Sequence, residues 1–93
     1  MAVVVITGSN SGFGLEGALA FARNGDTVYA SMRDPSKAGR LQELAREEHL
    51  SINICKLDIT QPATFAAFVT EIVAEAGSLD VLVNNAGIVR PGA

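Results

Sequence analysis

The 93-residue chain has no tryptophan, one tyrosine, three prolines and a single cysteine. One cysteine, Cys55, excludes an internal disulfide, and a cytoplasmic, reducing compartment is the expectation that follows. Long hydrophobic runs are also missing. Stretches such as 2–6 and 65–69 are five residues long, whereas a membrane-crossing helix needs about 20. The amino end carries neither the basic segment nor the small-residue cleavage site of a secretory signal. No basic run occurs and the formal net charge is −3, so nucleic acid and membrane surfaces are not expected partners. What is present is a 48% hydrophobic, 18% charged composition, the balance of a folded domain and not of a disordered tail. The length bounds the chain to one domain.

Along the chain, short β-branched runs alternate with longer segments of helical period. Residues 2–7 form a continuous apolar run ended by Gly8, the pattern of a parallel strand covered on both faces. Residues 13–24 read as a helix with Leu15, Ala18, Leu19 and Ala22 on one face and Gly25 as its stop. A second strand follows at 27–31. Asp34 and Pro35 open a second helix, an acidic cap followed by proline at the first position, with Ala38, Leu41, Leu44 and Ala45 facing inward. A third strand falls at 51–57. Thr60 is a candidate cap for a third helix carrying Phe65, Phe68, Val69, Ile72 and Ala76 on one face and stopped by Gly77. The fourth strand is expected at 80–84. Strands and helices in strict alternation imply an α/β fold: a three-layer, doubly wound parallel sheet of Rossmann-like type, truncated to about four strands and three helices, with residues 1–93 as one partial domain.

The connection after the first strand, Thr7-Gly8-Ser9-Asn10-Ser11-Gly12-Phe13-Gly14, holds three glycines in eight residues. In such a turn Gly8 permits a tight exit, Gly12 a close phosphate approach, and Gly14 close packing of helix on strand. The helix start then offers unpaired N–H groups to a pyrophosphate, with Ser9, Asn10 and Ser11 as possible side-chain donors. A ligand-free glycine connection is the bland alternative. A P-loop is excluded, because no Gly-Lys-Ser/Thr follows. The second strand ends Ser31-Met32-Arg33: no carboxylate is placed for a ribose 2′-hydroxyl, and an arginine is placed for a 2′-phosphate. NADP is therefore expected over NAD. The competing use of Arg33 is a solvated pair with Asp34, which is itself better used as a helix cap.

These residues resemble the short-chain dehydrogenase/reductase family. Thr7, Gly8, Gly12 and Gly14 match its TGxxxGxG motif, Asn84, Asn85, Ala86 and Gly87 its NNAG motif, and Asp58 its acid after the third strand. The resemblance implies that Asp58 bonds the adenine amino group, that the backbone at Ile59 meets the ring, and that Asn84, Ala86 and Gly87 line the adenosine ribose and steady the sheet. Gly8, Ser9, Ser11, Gly12, Phe13, Gly14 and Arg33 complete the implied cofactor site. A second basic residue often found in the family's glycine turn is absent, with Ser11 in its place.

In that family a tyrosine, a lysine four residues later and a serine catalyse hydride transfer between nicotinamide and an alcohol or carbonyl substrate. Here the only tyrosine is Tyr29, and the residue four later is Arg33. No residue is assigned a catalytic role, and no metal site is expected. Tyr29 and Cys55 read as core residues, and His49 as a cation near a helix end. The chain is expected to be the amino-terminal, NADP-binding portion of a longer oxidoreductase, inactive alone. The alternative is a non-catalytic dinucleotide-binding module that forms a homo-oligomer through the open edge of the fourth strand.

Overall fold

Consecutive valine and isoleucine side chains restrict χ1 and favour extended backbone, and Val3–Thr7 forms β1 with all five residues buried. The structure is a computed structural model that describes residues 1–9, 12–58 and 61–84. After β1 come α1 (Gly12–Arg23), β2 (Thr27–Met32), a single 3-10 turn (Pro35–Lys37) and α2 (Gly39–Glu47). They are followed by β3 (Ile52–Lys56), α3 (Pro62–Ala76) and β4 (Val81–Val83). The strands make one parallel sheet in the order β3-β2-β1-β4. β1 runs in register with β2 from Val3 beside Thr27 to Thr7 beside Ser31. On its other side it pairs with β4 from Val4 beside Val81 to Ile6 beside Val83. The doubly wound class is as expected, with strand and helix ends within two residues of the expected ones for α1, α3 and every strand.

Side-chain alternation in β1 divides the core in two. Val4 and Ile6, with Val28, Ala30 and Met32 of β2, pack against Leu15, Ala18 and Leu19 of α1 and Leu41 and Ala45 of α2. Val3 and Val5, with Tyr29, pack against Ile72 of α3. Two helices therefore cover one face and one helix the other, giving three layers. Each large apolar side chain so buried contributes about 1.5–3 kcal/mol before conformational entropy is counted. The α3 face is the thinner one: Ile72 is the buried residue of that helix, and Val73 and Leu82 stay 42% and 43% exposed. Tyr29 lies in this second core with its hydroxyl donating to Glu75 Oε2 at 3.0 Å. Burial, and then Glu75, push its phenol above the ordinary value. Cys55 is half-buried beside it. Burial, and then the charges of Glu75 and Glu71, push its thiol up, away from nucleophile chemistry.

The second helical segment departs from expectation. Asp34 does cap a helical turn: its Oδ1 accepts from the Ser36 N–H at 3.0 Å and the Ser36 hydroxyl at 2.7 Å. That turn is 3-10, and α2 begins only after Ala38, whose methyl is fully buried. Gly39 thus stands at the first position of α2 and not in a helix interior, where it would weaken the helix most. At the other end, the His49 N–H donates to Arg46 O at 3.1 Å and the Leu50 N–H to Ala45 O at 2.8 Å. This is the Schellman arrangement, and it places His49 at φ 58°, a left-handed position that usually falls to glycine. His49 is therefore a strained cap residue, not simply a helix-end cation. In α3 the cap position falls to Gln61, which makes no side-chain cap bond, with Pro62 at the helix start. Thr60 lies outside the described residues. Gly77 ends α3 at φ 90°, its N–H donating to Val73 O at 2.8 Å.

The amino end of β1 is held by two aspartates. Asp26 Oδ1 accepts from the Ala2 N–H at 2.9 Å and Asp80 Oδ2 from the Val3 N–H at 2.8 Å. The hydrogen bonds from Ala2 and then Asn24 hold Asp26 below its ordinary value, and the Arg23 hydrogen bond does the same for Glu48. That guanidinium meets Glu48 through two bonds of 2.6 Å, joining α1 to the end of α2.

Two outcomes are expected. Replacing His49 by Gly should raise stability by about 0.5–1 kcal/mol in a denaturant melt, since it removes the left-handed strain. Because the folded state lowers the Asp26 and Glu48 values, their contribution is complete above the unfolded values of about 4. It is lost as pH falls through the lower folded values. The melting temperature should therefore hold from pH 7 to about 5 and drop below about 4, and Asp26→Asn should flatten that drop.

Candidate functional site

The chain moves outward from β1 through β2 to β3, then returns to lay β4 on the other side of β1. The strand order thus reverses between β1 and β4, and in open parallel sheets that reversal opens a crevice at the carboxyl ends. Thr7 closes β1 at this point. Its hydroxyl lies 3.2 Å from Asn84 Oδ1 and 3.4 Å from Val83 O, fastening the exits of β1 and β4 to each other. Asn84 is exposed at the end of β4.

The glycine turn springs from the same point. Gly8 and Gly12 have φ of 64° and 59°, which an L side chain rarely adopts. Among the described residues, a Cβ built on Gly12 would meet nothing within 4 Å, so none of them closes the space beside its backbone. Gly14 is buried in the first turn of α1. Phe13, between them, is 90% exposed. The first turn of α1 holds no acidic residue, so no carboxylate competes with an anion for its amino end.

Ser9 is not the outward donor its position in the turn suggested. It is fully buried. Its hydroxyl donates to Ile6 O at 2.6 Å and its N–H to Ser31 O at 3.1 Å. Ser31, also fully buried, donates its hydroxyl to the same Ile6 carbonyl at 3.2 Å. The physical reason is local: where β1 gives way to the turn, a buried carbonyl needs donors, and the two hydroxyls supply them. The sequence pattern does not single out Ser31; its one signal is a small hydroxyl residue next to the end of a buried strand.

Arg33 is exposed just beyond β2, and Asp34 is bonded to Ser36 as the expected cap, so the competing Arg33–Asp34 pair is not made. Asp58 is half-buried beyond β3, and its carbonyl accepts from the Gln61 N–H at 3.2 Å, turning the chain into α3. Gly8, Gly12, Phe13 and Gly14 cluster at the exit of β1 with Asn84 opposite, while Arg33 and Asp58 follow the exits of β2 and β3. Ser11, Ile59, Ala86 and Gly87 lie outside the described residues, as do Asn10 and Asn85. No helix among the described residues is long and apolar enough to cross a membrane.

Comparison with known proteins agrees with this geometry. The short chain dehydrogenase family model matches residues 2–93, and the chain belongs to that family. It is 42% identical over 87 residues to short-chain dehydrogenase/reductase 1 of Saponaria officinalis, covering 90% of this chain and 29% of that protein. The crystal structure of a short-chain dehydrogenase/reductase from Burkholderia xenovorans superposes at a TM-score of 0.87 with 34% identity, over 99% of this chain and 38% of that one. Menthone neomenthol reductase from Mentha piperita gives 0.78 with 39% identity, over 94% and 32%. The chain thus spans 27–32% of the length of the first curated relatives it matches.

The Thr7 fastening is testable. Thr7→Val keeps the shape and removes the hydroxyl from a buried position, and should cost about 1 kcal/mol in a denaturant melt. Ser9→Ala, which strips one donor from the Ile6 carbonyl, should cost a similar amount, about 1 kcal/mol.

Proposed function

We propose that residues 1–93 are the cofactor-binding portion of an oxidoreductase that uses NADP(H) in preference to NAD(H). The observation that carries this reading is the open backbone at Gly12, set at the strand-order reversal beside a helix start free of acid. A pyrophosphate fits there: it needs close backbone approach, N–H donors and no opposing carboxylate. Gly8, Gly12, Phe13 and Gly14, with Ser11, would form the cradle, and Ser9 would position it from inside. Asp58 and Ile59 would take the adenine, and Asn84, Ala86 and Gly87 the ribose. Arg33, unclaimed by Asp34, would meet the 2′-phosphate.

Bound nicotinamide would supply hydride exchange with a small alcohol or carbonyl substrate in the whole protein. Tyr29 takes no part, because its ring is buried in the second core and its hydroxyl is bonded to Glu75. The exposed Leu82 on the edge strand β4 favours one further reading, a module that self-associates along that edge. Sedimentation over a range of concentrations separates a defined oligomer from a monomer.

Calorimetric titration should show NADPH binding at least about tenfold tighter than NADH, the margin of one charge-assisted phosphate contact. Arg33→Ala should erase the preference without weakening NADH. Gly12→Val should abolish binding of both. Its folding cost should include about 1–2 kcal/mol of left-handed strain, and a Cβ there meets nothing within 4 Å among the described residues. Equal binding of NADPH and NADH by the unmodified chain would overturn the NADP assignment, and no binding of either would overturn the site.

A further inference from the structure

Asparagine is followed by glycine once in the chain, at Asn24-Gly25, in the connection from α1 to β2. The other four asparagines precede Ser11, Ile54, Asn85 and Ala86, whose side chains crowd their own backbone nitrogens. A glycine nitrogen is the least hindered of backbone nucleophiles. Covalent geometry sets it within reach of the preceding asparagine's side-chain carbonyl, where attack closes a succinimide ring.

Asn24 and Gly25 are both exposed, and both lie beyond Arg23, the last residue of α1, in a turn and not in the helix itself. A Cβ built on Gly25 would meet nothing within 4 Å among the described residues, so none of them crowds that side of its backbone. The Gly25 N–H donates to Ala22 O at 3.0 Å. A bond of this short span at a helix end is among the first to open, and opening it frees the nitrogen.

What the Asn24 side chain holds gives the reaction a consequence. Its Nδ2 donates to Asp26 Oδ2 at 3.2 Å, while Asp26 Oδ1 accepts from the Ala2 N–H at 2.9 Å. The Ala2 carbonyl in turn accepts from the Thr27 N–H at 2.8 Å, where β2 begins. Asn24 thus supports the carboxylate that holds the entrance of β1.

We propose that Asn24 is a site of spontaneous deamidation whose product loosens the entrance of β1. The Gly25 nitrogen attacks Asn24 Cγ, a new C–N bond forms, and the Cγ–Nδ2 bond breaks. The leaving amine takes up the proton lost from the Gly25 nitrogen and departs as ammonia. Water then opens the succinimide at either carbonyl, leaving aspartate or isoaspartate at position 24. No oxidant, reductant or enzyme takes part. Either product replaces a donor with a carboxylate beside Asp26, so an attraction becomes a repulsion between like charges. Isoaspartate also adds a methylene to the main chain, lengthening the connection that sets Asp26 against Ala2. The reaction advances with the age of the chain, and faster as pH rises, because the attacking nitrogen must lose its proton.

The test is to age the full chain in mildly alkaline and mildly acidic buffer and map it by peptide mass spectrometry. Labelling by an isoaspartyl methyltransferase separates the two products. Conversion should concentrate at Asn24, run faster in the alkaline buffer, and vanish at that position in Asn24→Gln, whose longer side chain closes the ring poorly. The aged chain and Asn24→Asp should both melt about 2–4 °C below the fresh chain. In an Asp26→Asn background the Asn24→Asp difference should shrink to within about 1 °C, since the repulsion needs both carboxylates. An aged chain that keeps its Asn24 amide overturns the site, whether or not another asparagine converts. If Asn24 converts but Asn24→Asp melts with the fresh chain, the effect on β1 is overturned. It is overturned equally if the Asn24→Asp deficit persists in the Asp26→Asn background, because the loss then does not pass through Asp26.

Discussion

The structure depends on satisfying the main chain of β1. All five of its residues are buried between two helical layers, with a strand on either side. Polar groups left unpaired in such a place would each cost about 1–3 kcal/mol. The ladders to β2 and β4 deal with the middle, and the two ends are dealt with by side chains. Asp26 and Asp80 accept the N–H groups at the entrance. Ser9 and Ser31 supply hydroxyls to Ile6 O at the exit, where the hydroxyl of Thr7 reaches across to Val83 O and Asn84. Four polar side chains in separate parts of the sequence are thus tied to the main chain of one strand, and with Thr7 they bring β2, β4 and the glycine turn together.

The same requirement gives the sheet its chemical polarity. At the entrance the partners of β1 are carboxylates, which accept. At the exit the partners are hydroxyls, and Ser9 donates both its O–H and its N–H back into the fold. The turn is thereby anchored at its first residues, while Gly12 and the start of α1 stay open to solvent. The family's Thr and Asn motif residues meet here in one contact, Thr7 to Asn84, between positions 77 apart in sequence.

Much of this is legible in the sequence. Continuous apolar runs marked the covered strands, the i, i+3, i+4 spacing of Leu15, Ala18 and Leu19 marked the inner face of α1, and Gly25 and Gly77 marked helix ends. Each of these is a short-range pattern that the local backbone enforces. What could not be read is long-range or competitive. The Pro35–Lys37 turn separates from α2 because the buried methyl of Ala38 must reach the core, a demand that no local propensity shows. His49 takes a left-handed cap because the Leu50 side chain returns to the same core just after it. Ser9 faces inward because a carbonyl three residues back needs a donor, and the glycine pattern alone is equally compatible with an outward hydroxyl.

Competition also decides the electrostatics beside β2. In sequence, Asp34 follows Arg33 and could serve as its counter-ion or as a helix cap. In the fold it is the cap, because the 3-10 turn leaves the Ser36 N–H without an intrahelical partner and the Asp34 carboxylate fills that need. A carboxylate bonded to a backbone N–H and a hydroxyl at once is fixed in place and less available to a long, mobile guanidinium, whose surface pairing would gain about 0–1 kcal/mol. The capping bond therefore leaves Arg33 with its charge uncommitted. A requirement of local helix geometry thus sets the charge on offer at the end of β2, and that charge decides which ribose the proposed site would prefer.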